Sequence, residues 1–356
     1  GVSPASSRSA VTADQLAAIG ITDPREQAEI LGFASHSAAA SESMRRVAAQ
    51  QQHRQASVRR DSGAYARARD RLPAAVNSVQ VDLDKPLSWG SFKSAYKGRV
   101  GDQNVSVLRY RNSEHDEDVV RGAVHEVEML LKLPKHPNLN TYMGTLQPPG
   151  KGVCIVMELC QYGQLDCFLR DHKAKVQLSH RVAIVSQICD AMRTVCSCGL
   201  IHRDLAAHNV LVYGLKPLQV KLIDFGLAMK EGATSSSTMT ARRLEDVIGV
   251  RWAAVEVLNA STPDAAPWSF KSDVWAFAVT AWQVFAHGEV PYTLAMPDKA
   301  VIYHVIRGRR LGTPHGCPPE VFRSIMEPCW VEDPPTRPTF DAMWRLLIEY
   351  QKTYMK

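Results

Sequence analysis

Two short polar motifs contain residue types from which a phosphate-handling site can be built: His202-Arg203-Asp204 with Asn209 behind it, and Asp224-Phe225-Gly226. Asp204 supplies a carboxylate able to orient an attacking hydroxyl. Asn209 and Asp224 supply oxygen ligands that suit a hard Mg²⁺ ion bridging nucleotide phosphates. Each motif adjoins an apolar run, Val210-Leu211-Val212 after the first and Val220-Lys221-Leu222-Ile223 before the second. These runs are predicted strands, and their ends would set the polar residues in place.

At this spacing the pair resembles the catalytic loop and metal-binding motif of protein kinases. Leu205-Ala206-Ala207 lacks the Lys that serine/threonine kinases usually carry two residues after the Asp, which points to the tyrosine-kinase branch. Gly249-Val250-Arg251-Trp252-Ala253-Ala254-Val255-Glu256 resembles the segment that docks a substrate, with Arg251-Trp252 typical of tyrosine kinases. Ser272 to Val279 resembles the buried helix of the large lobe, and Cys329-Trp330 to Phe340 its last helices. The resemblance implies a buried Glu256 to Arg337 ion pair, with Val255 in place of the family's Pro. It spans residues 80–350.

The implied fold is α+β and bilobal. Residues 81–160 would form a small lobe of a five-stranded sheet plus a helix, and 161–356 a large, mainly helical lobe, preceded by an α-helical segment over 1–80. The implied cofactors are ATP and Mg²⁺, with Asn209 and Asp224 holding the metal and Asp204 positioning a protein hydroxyl. Leu178 to Cys198 has helical periodicity and leads into the catalytic stretch.

The small lobe departs from the family pattern. Leu87-Ser88-Trp89-Gly90-Ser91-Phe92-Lys93 stands where three glycines normally let backbone N–H groups approach the phosphates, and only Gly90 remains. In the strand Val105 to Arg111 the position of the phosphate-binding Lys is Leu108. Arg109 cannot replace it, because alternation turns it to the opposite face. Gly90-Ser91-Phe92-Lys93-Ser94 with Tyr96-Lys97-Gly98 resembles the glycine-loop strand of the with-no-lysine kinases, which makes Lys93 the candidate substitute. An exposed loop lysine is the other reading. Glu126 matches the helix Glu that pairs with this Lys, whereas Glu128 lies about 200° around the helix. Met157 would gate the space behind adenine, and the backbone of Glu158 and Cys160 would meet the base. At 208, where tyrosine kinases usually place an Arg, this chain has His, a weaker and pH-dependent cation.

A chain of 356 residues with 45% hydrophobic content predicts two or three folding units. A formal charge of +6 is modest and argues against a dedicated nucleic-acid binder. The apolar run Val274 to Ala286 is too short to span a bilayer. All eight Cys fall at or after 154 without zinc spacing, as expected of thiols in a reducing, cytoplasmic compartment.

The first residues open on two predicted helices, Thr12 to Ile19 and one starting at Asp23-Pro24. They resemble the end of a sterile alpha motif; a plain helical hairpin is the alternative. Either would leave helix-mediated self-association open. Ser41 to Leu72 reads as helix with eight Arg between positions 45 and 71, a solvated face or an acidic-partner contact. Thr234 to Thr240 is a hydroxyl cluster whose phosphorylation would offer pairs to Arg203, Arg242 or Arg243. Two functions stay open: a phosphotransferase acting on a protein substrate, and a pseudokinase that scaffolds signalling partners.

Overall fold

In the computed structural model, apolar alternation over 93–110 closes an antiparallel hairpin. It joins β2 (Lys93–Val100) to β3 (Gln103–Tyr110) through a turn in which Gly101 has φ 57°. The structure describes residues 76, 79–89, 93–110, 117–148, 152–233, 249–262 and 265–355, with positions 24, 27 and 28. Apart from those three positions, the sterile-alpha-motif-like pair lies outside the described residues. So do the basic helix of 41–72, Gly90-Ser91-Phe92, and the hydroxyl cluster with Arg242 and Arg243.

With β1 (Val79–Trp89), β4 (Tyr142–Leu146) and β5 (Cys154–Glu158) the hairpin builds a five-stranded antiparallel sheet in the order β1-β2-β3-β5-β4. Period-two alternation splits the apolar side chains between its faces. Tyr96, Val105, Val107, Cys154 and Val156 cluster on one face. Tyr110, Ile155 and Met157 belong to the larger core on the other, with Leu108 packed against it. That second face receives α1 (Glu117–Leu130), whose Val120, Ala123, Val124 and Val127 recur at helical spacing and are buried. Glu126 lies in this helix and is only 2% exposed. A buried carboxylate of this kind requires a partner.

The second lobe is mainly helical. It contains α2 (Leu165–Asp171), α3 (Leu178–Ser197), α4 (Val255–Leu258), α5 (Phe270–Phe285), α6 (Asp298–Ile306) and α7 (Phe340–Tyr354). Helix α5 starts at Ser269, whose hydroxyl accepts from Lys271 N, and runs buried through the middle of the lobe. Thr339 caps α7 in the same manner through Ala342 N. The Arg337 guanidinium meets both oxygens of Glu256 at 2.8 and 2.7 Å, and also binds the carbonyls of Lys271 and Val331. Among the described residues no helix is long and apolar enough to cross a membrane.

On the lobe's cleft side lie two short strand pairs. β6 (Leu200–Ile201) pairs with β9 (Met229–Lys230), and β7 (Val210–Leu215) pairs with β8 (Leu218–Leu222). The loops leaving β6 and β8 carry the polar motifs found in the sequence.

Candidate active site

The loop after β6 is pinned from below. Asp273, buried in α5, accepts the N–H of His202 at 2.7 Å and that of Arg203 at 2.9 Å, where Arg203 holds a left-handed φ of 71°. The His202 ring is fully buried and stands edge-on to Phe225, with centroids 4.9 Å apart. Asp204 N donates to His202 Nδ1, so the ring proton resides on Nε2, which meets the Ile223 carbonyl at 3.1 Å. Burial keeps that imidazole neutral, lowering its pKa to about 4. One neutral ring thereby couples the ends of both motif loops.

Asn209 donates both amide protons to Asp204, to the carbonyl at 2.7 Å and to Oδ2 at 2.8 Å. Its side-chain oxygen is therefore the group left to ligate a cation. Burial, followed by repulsion from Asp224, pushes the Asp204 carboxyl up to about 7. Asp224 also sits at a left-handed φ, 65°, and its Oδ1 accepts from Lys93 Nζ at 2.7 Å and from Gly226 N at 3.3 Å. Burial would raise its pKa, but the Lys93 charge and these bonds outweigh burial and hold it below the ordinary value.

Lys93 also donates to Glu126 Oε1 at 3.0 Å and Oε2 at 2.9 Å, so two carboxylates engage its three ammonium protons. Burial works against the charge, yet Asp224 and Glu126 together raise the Lys93 pKa well above its usual value. The β-register explains how a lysine from β2 reaches this point. Lys93 lies opposite Tyr110 and Ala95 opposite Leu108, so Lys93, Leu108 and Tyr110 share the face toward α1. Arg109, opposite Ser94 and Cys154, belongs to the other face. The structure thus brings Lys93, Glu126 and Asp224 together, and Asp204 together with Asn209. The helix carboxylate at Lys93 is Glu126, while Glu128 makes no contact with it among the bonds described.

Met157 is buried on β5 opposite Tyr142 and Ser106. The Glu158 backbone N donates to the Thr141 carbonyl, and its carboxylate takes the Lys221 ammonium of β8 at 2.7 Å, a tie between the lobes that sequence reasoning did not foresee. The Cys160 thiol is buried and pushed up to about 12, which makes it unreactive. His208 packs its ring edge-on against Trp252 at 5.3 Å, and burial lowers its pKa below the ordinary histidine value, which weakens it further as a cation. Two further residues were missed. Tyr110 donates its hydroxyl to Glu126 Oε2, and His125 Nε2 meets the Ala228 carbonyl at 2.7 Å, joining α1 to the chain after Gly226. Alternation from Leu108 was the signal available for Tyr110; nothing local marked His125.

One amide oxygen and one carboxylate fit Mg²⁺, which takes few protein ligands and completes its shell with phosphate oxygens and water. A family model described as protein tyrosine and serine/threonine kinase matches residues 81–347, which include every residue of this site. A putative tyrosine-protein kinase of Caenorhabditis elegans is 31% identical over 304 residues, 75% of this chain and 33% of its own length. Tyrosine-protein kinase Fer of Mus musculus is 32% identical over 281 residues, 78% of this chain and 32% of its own. The transforming protein Fps of Fujinami sarcoma virus is 31% identical over 282 residues, 78% and 30% respectively. The chain thus spans about one third of the length of these relatives.

Proposed function

The chain belongs to the protein tyrosine and serine/threonine kinase family, and from that premise we propose that it moves the γ-phosphate of ATP to a protein hydroxyl, chiefly that of tyrosine. The observation that carries this reading is Lys93 Nζ, held within 3.0 Å of both Glu126 and Asp224 although Leu108 occupies the usual lysine position. The Lys93 ammonium partners the buried Glu126 and, beside the candidate metal ligand Asp224, also offers the counter-charge that a bound phosphate requires. Together with the sequence resemblance of Gly90 to Ser94 to the with-no-lysine kinases, this contact supports Lys93 as the phosphate-binding cation.

In this reading Asp204 orients the acceptor hydroxyl and takes its proton, held in place by the Asn209 amide. Asn209 and Asp224 would hold Mg²⁺, which when bound neutralises phosphate charge. Lys93 fixes phosphate oxygens, Glu126 fixes Lys93, Met157 bounds the space behind the base, and the backbone of Glu158 and Cys160 lies where adenine would be met. Gly90 would cover the phosphates. Catalysis of this kind is mostly positioning and charge stabilisation. Tyrosine preference rests on Leu205-Ala206-Ala207, on Arg251-Trp252 and on the tyrosine-protein kinases that the chain resembles.

A second reading, a pseudokinase that binds nucleotide or scaffolds partners, draws on Leu108 and on His208, whose pKa is lowered by burial. One comparison separates the two: autophosphorylation and tyrosine-peptide phosphorylation by the wild type beside Asp204→Asn. The phosphotransferase reading expects a loss of at least about tenfold. A wild type no more active than Asp204→Asn leaves the scaffold.

A further inference from the structure

A lysine that enters from the neighbouring strand has to be held at its far end. Its stem carries roughly 2 kcal/mol of rotamer freedom, and the side chain must cross from β2 toward α1 before it meets a phosphate. Of its three bonds, the one to Asp224 would be given up if that carboxylate took a metal. The other two end on Glu126, a flexible side chain that is itself 2% exposed. Something must keep Glu126 from following Asp224.

We infer that Tyr110 is the positioning residue for this pair: its hydroxyl anchors the Glu126 carboxylate while its ring flanks the Lys93 ammonium. This rests on the phosphotransferase reading. Tyr110 stands directly opposite Lys93 in the β2 to β3 register. Its hydroxyl donates to Glu126 Oε2, and Lys93 Nζ lies 5.5 Å from its ring centroid. Its backbone N donates to the Val153 carbonyl, so Tyr110, the last residue of the central strand β3, is still fixed by backbone bonding. Burial, reinforced by the Glu126 charge, holds the phenol protonated and therefore a donor. Leu108, two positions earlier on the same face, offers no polar group to hold Glu126. Tyr110 and Lys93 thus act as a matched pair, the first supplying the fixed point that the second lacks.

Tyr110→Phe keeps the ring and removes only the donor, so packing alone is not disturbed. The test is amine-selective acetylation of the nucleotide-free full chain, read lysine by lysine by mass spectrometry, beside steady-state kinetics. Loss of one buried hydrogen bond predicts labelling of Lys93 about fivefold faster in Tyr110→Phe, with Lys221 unchanged. It also predicts a KM for ATP raised by a similar factor, with kcat moving less. Glu126→Gln should release Lys93 too, and Tyr110→Phe in that background should add nothing further. Labelling of Lys93 within about twofold of wild type, a rise at all lysines alike, or a full extra effect in the Glu126→Gln background would each overturn the assignment. If Lys93 is released as expected while the wild type transfers no phosphate, the tie stands and the phosphotransferase reading falls.

Discussion

Moving the lysine back to β3 tests the geometry most directly. Lys93→Met strips Glu126 and Asp224 of the ammonium that both contact within 3.0 Å. Removing one partner of a buried ion pair costs about 3–5 kcal/mol. Glu126 keeps the Tyr110 hydroxyl and Asp224 is 30% exposed, so the low end applies, about 3 kcal/mol. A domain stable by about 5–15 kcal/mol survives that loss and stays folded. Adding Leu108→Lys then supplies an ammonium on the same face, since Leu108 lies opposite Ala95 and two positions from Tyr110. Urea unfolding should recover about 2 of the 3 kcal/mol lost, the rest going to the apolar contacts of Leu108. ATP turnover, down at least about tenfold in Lys93→Met, should rise again by several-fold. Arg109→Lys in the same background should recover neither, because it faces Ser94 and Cys154. Rescue by Arg109→Lys and not by Leu108→Lys would refute the register argument outright.

Three other perturbations probe the surrounding frame. Arg337→Lys cannot keep the two-pronged contact with Glu256 nor the bonds to the Lys271 and Val331 carbonyls, and should lower stability by about 3 kcal/mol in thermal or urea unfolding; an unchanged midpoint would deny the pair its structural role. His202 is neutral when folded, with a pKa of about 4 against 6.5 unfolded, so acid protonates the unfolded chain first. Stability is then full above pH 6.5 and falls by roughly 3 kcal/mol as pH drops toward 4, a slope that His202→Leu should flatten in urea titrations. Glu158→Gln weakens the tie to Lys221, partners 16% and 7% exposed, and should destabilise the protein by about 1–2 kcal/mol while leaving Asp204 and Asn209 in place; equal midpoints at low and high salt would show the tie to be idle.

The parts of this site that could be read in advance are those written in short stretches of chain. Asp204, Asn209 and Asp224 each stand beside a strand, and strand alternation alone separates Leu108 from Arg109. Lys93 needed the frame of a whole hairpin, because only pairing with β3 turns its side chain toward Glu126. The packing of His208 was not legible, since its ring meets a Trp252 ring 44 residues further on. Burial is a property of the packed lobe and leaves no local mark. The same holds for the Glu158 to Lys221 contact, which joins strands 63 positions apart. Tyr110 was within reach of the alternation argument, but an aromatic at a strand end reads first as core, and its hydroxyl acquires a purpose only when α1 presents Glu126.

Because the ammonium is mounted on β2, which pairs with the edge strand β1, the cation and the first two strands are one piece. Where the cation sits on β3, a cover can swing away and leave the electrostatic floor behind. In the proposed phosphotransferase, any outward swing of β1 and β2 would take the positive charge with it, so a spent nucleotide would lose its counter-charge in the same stroke.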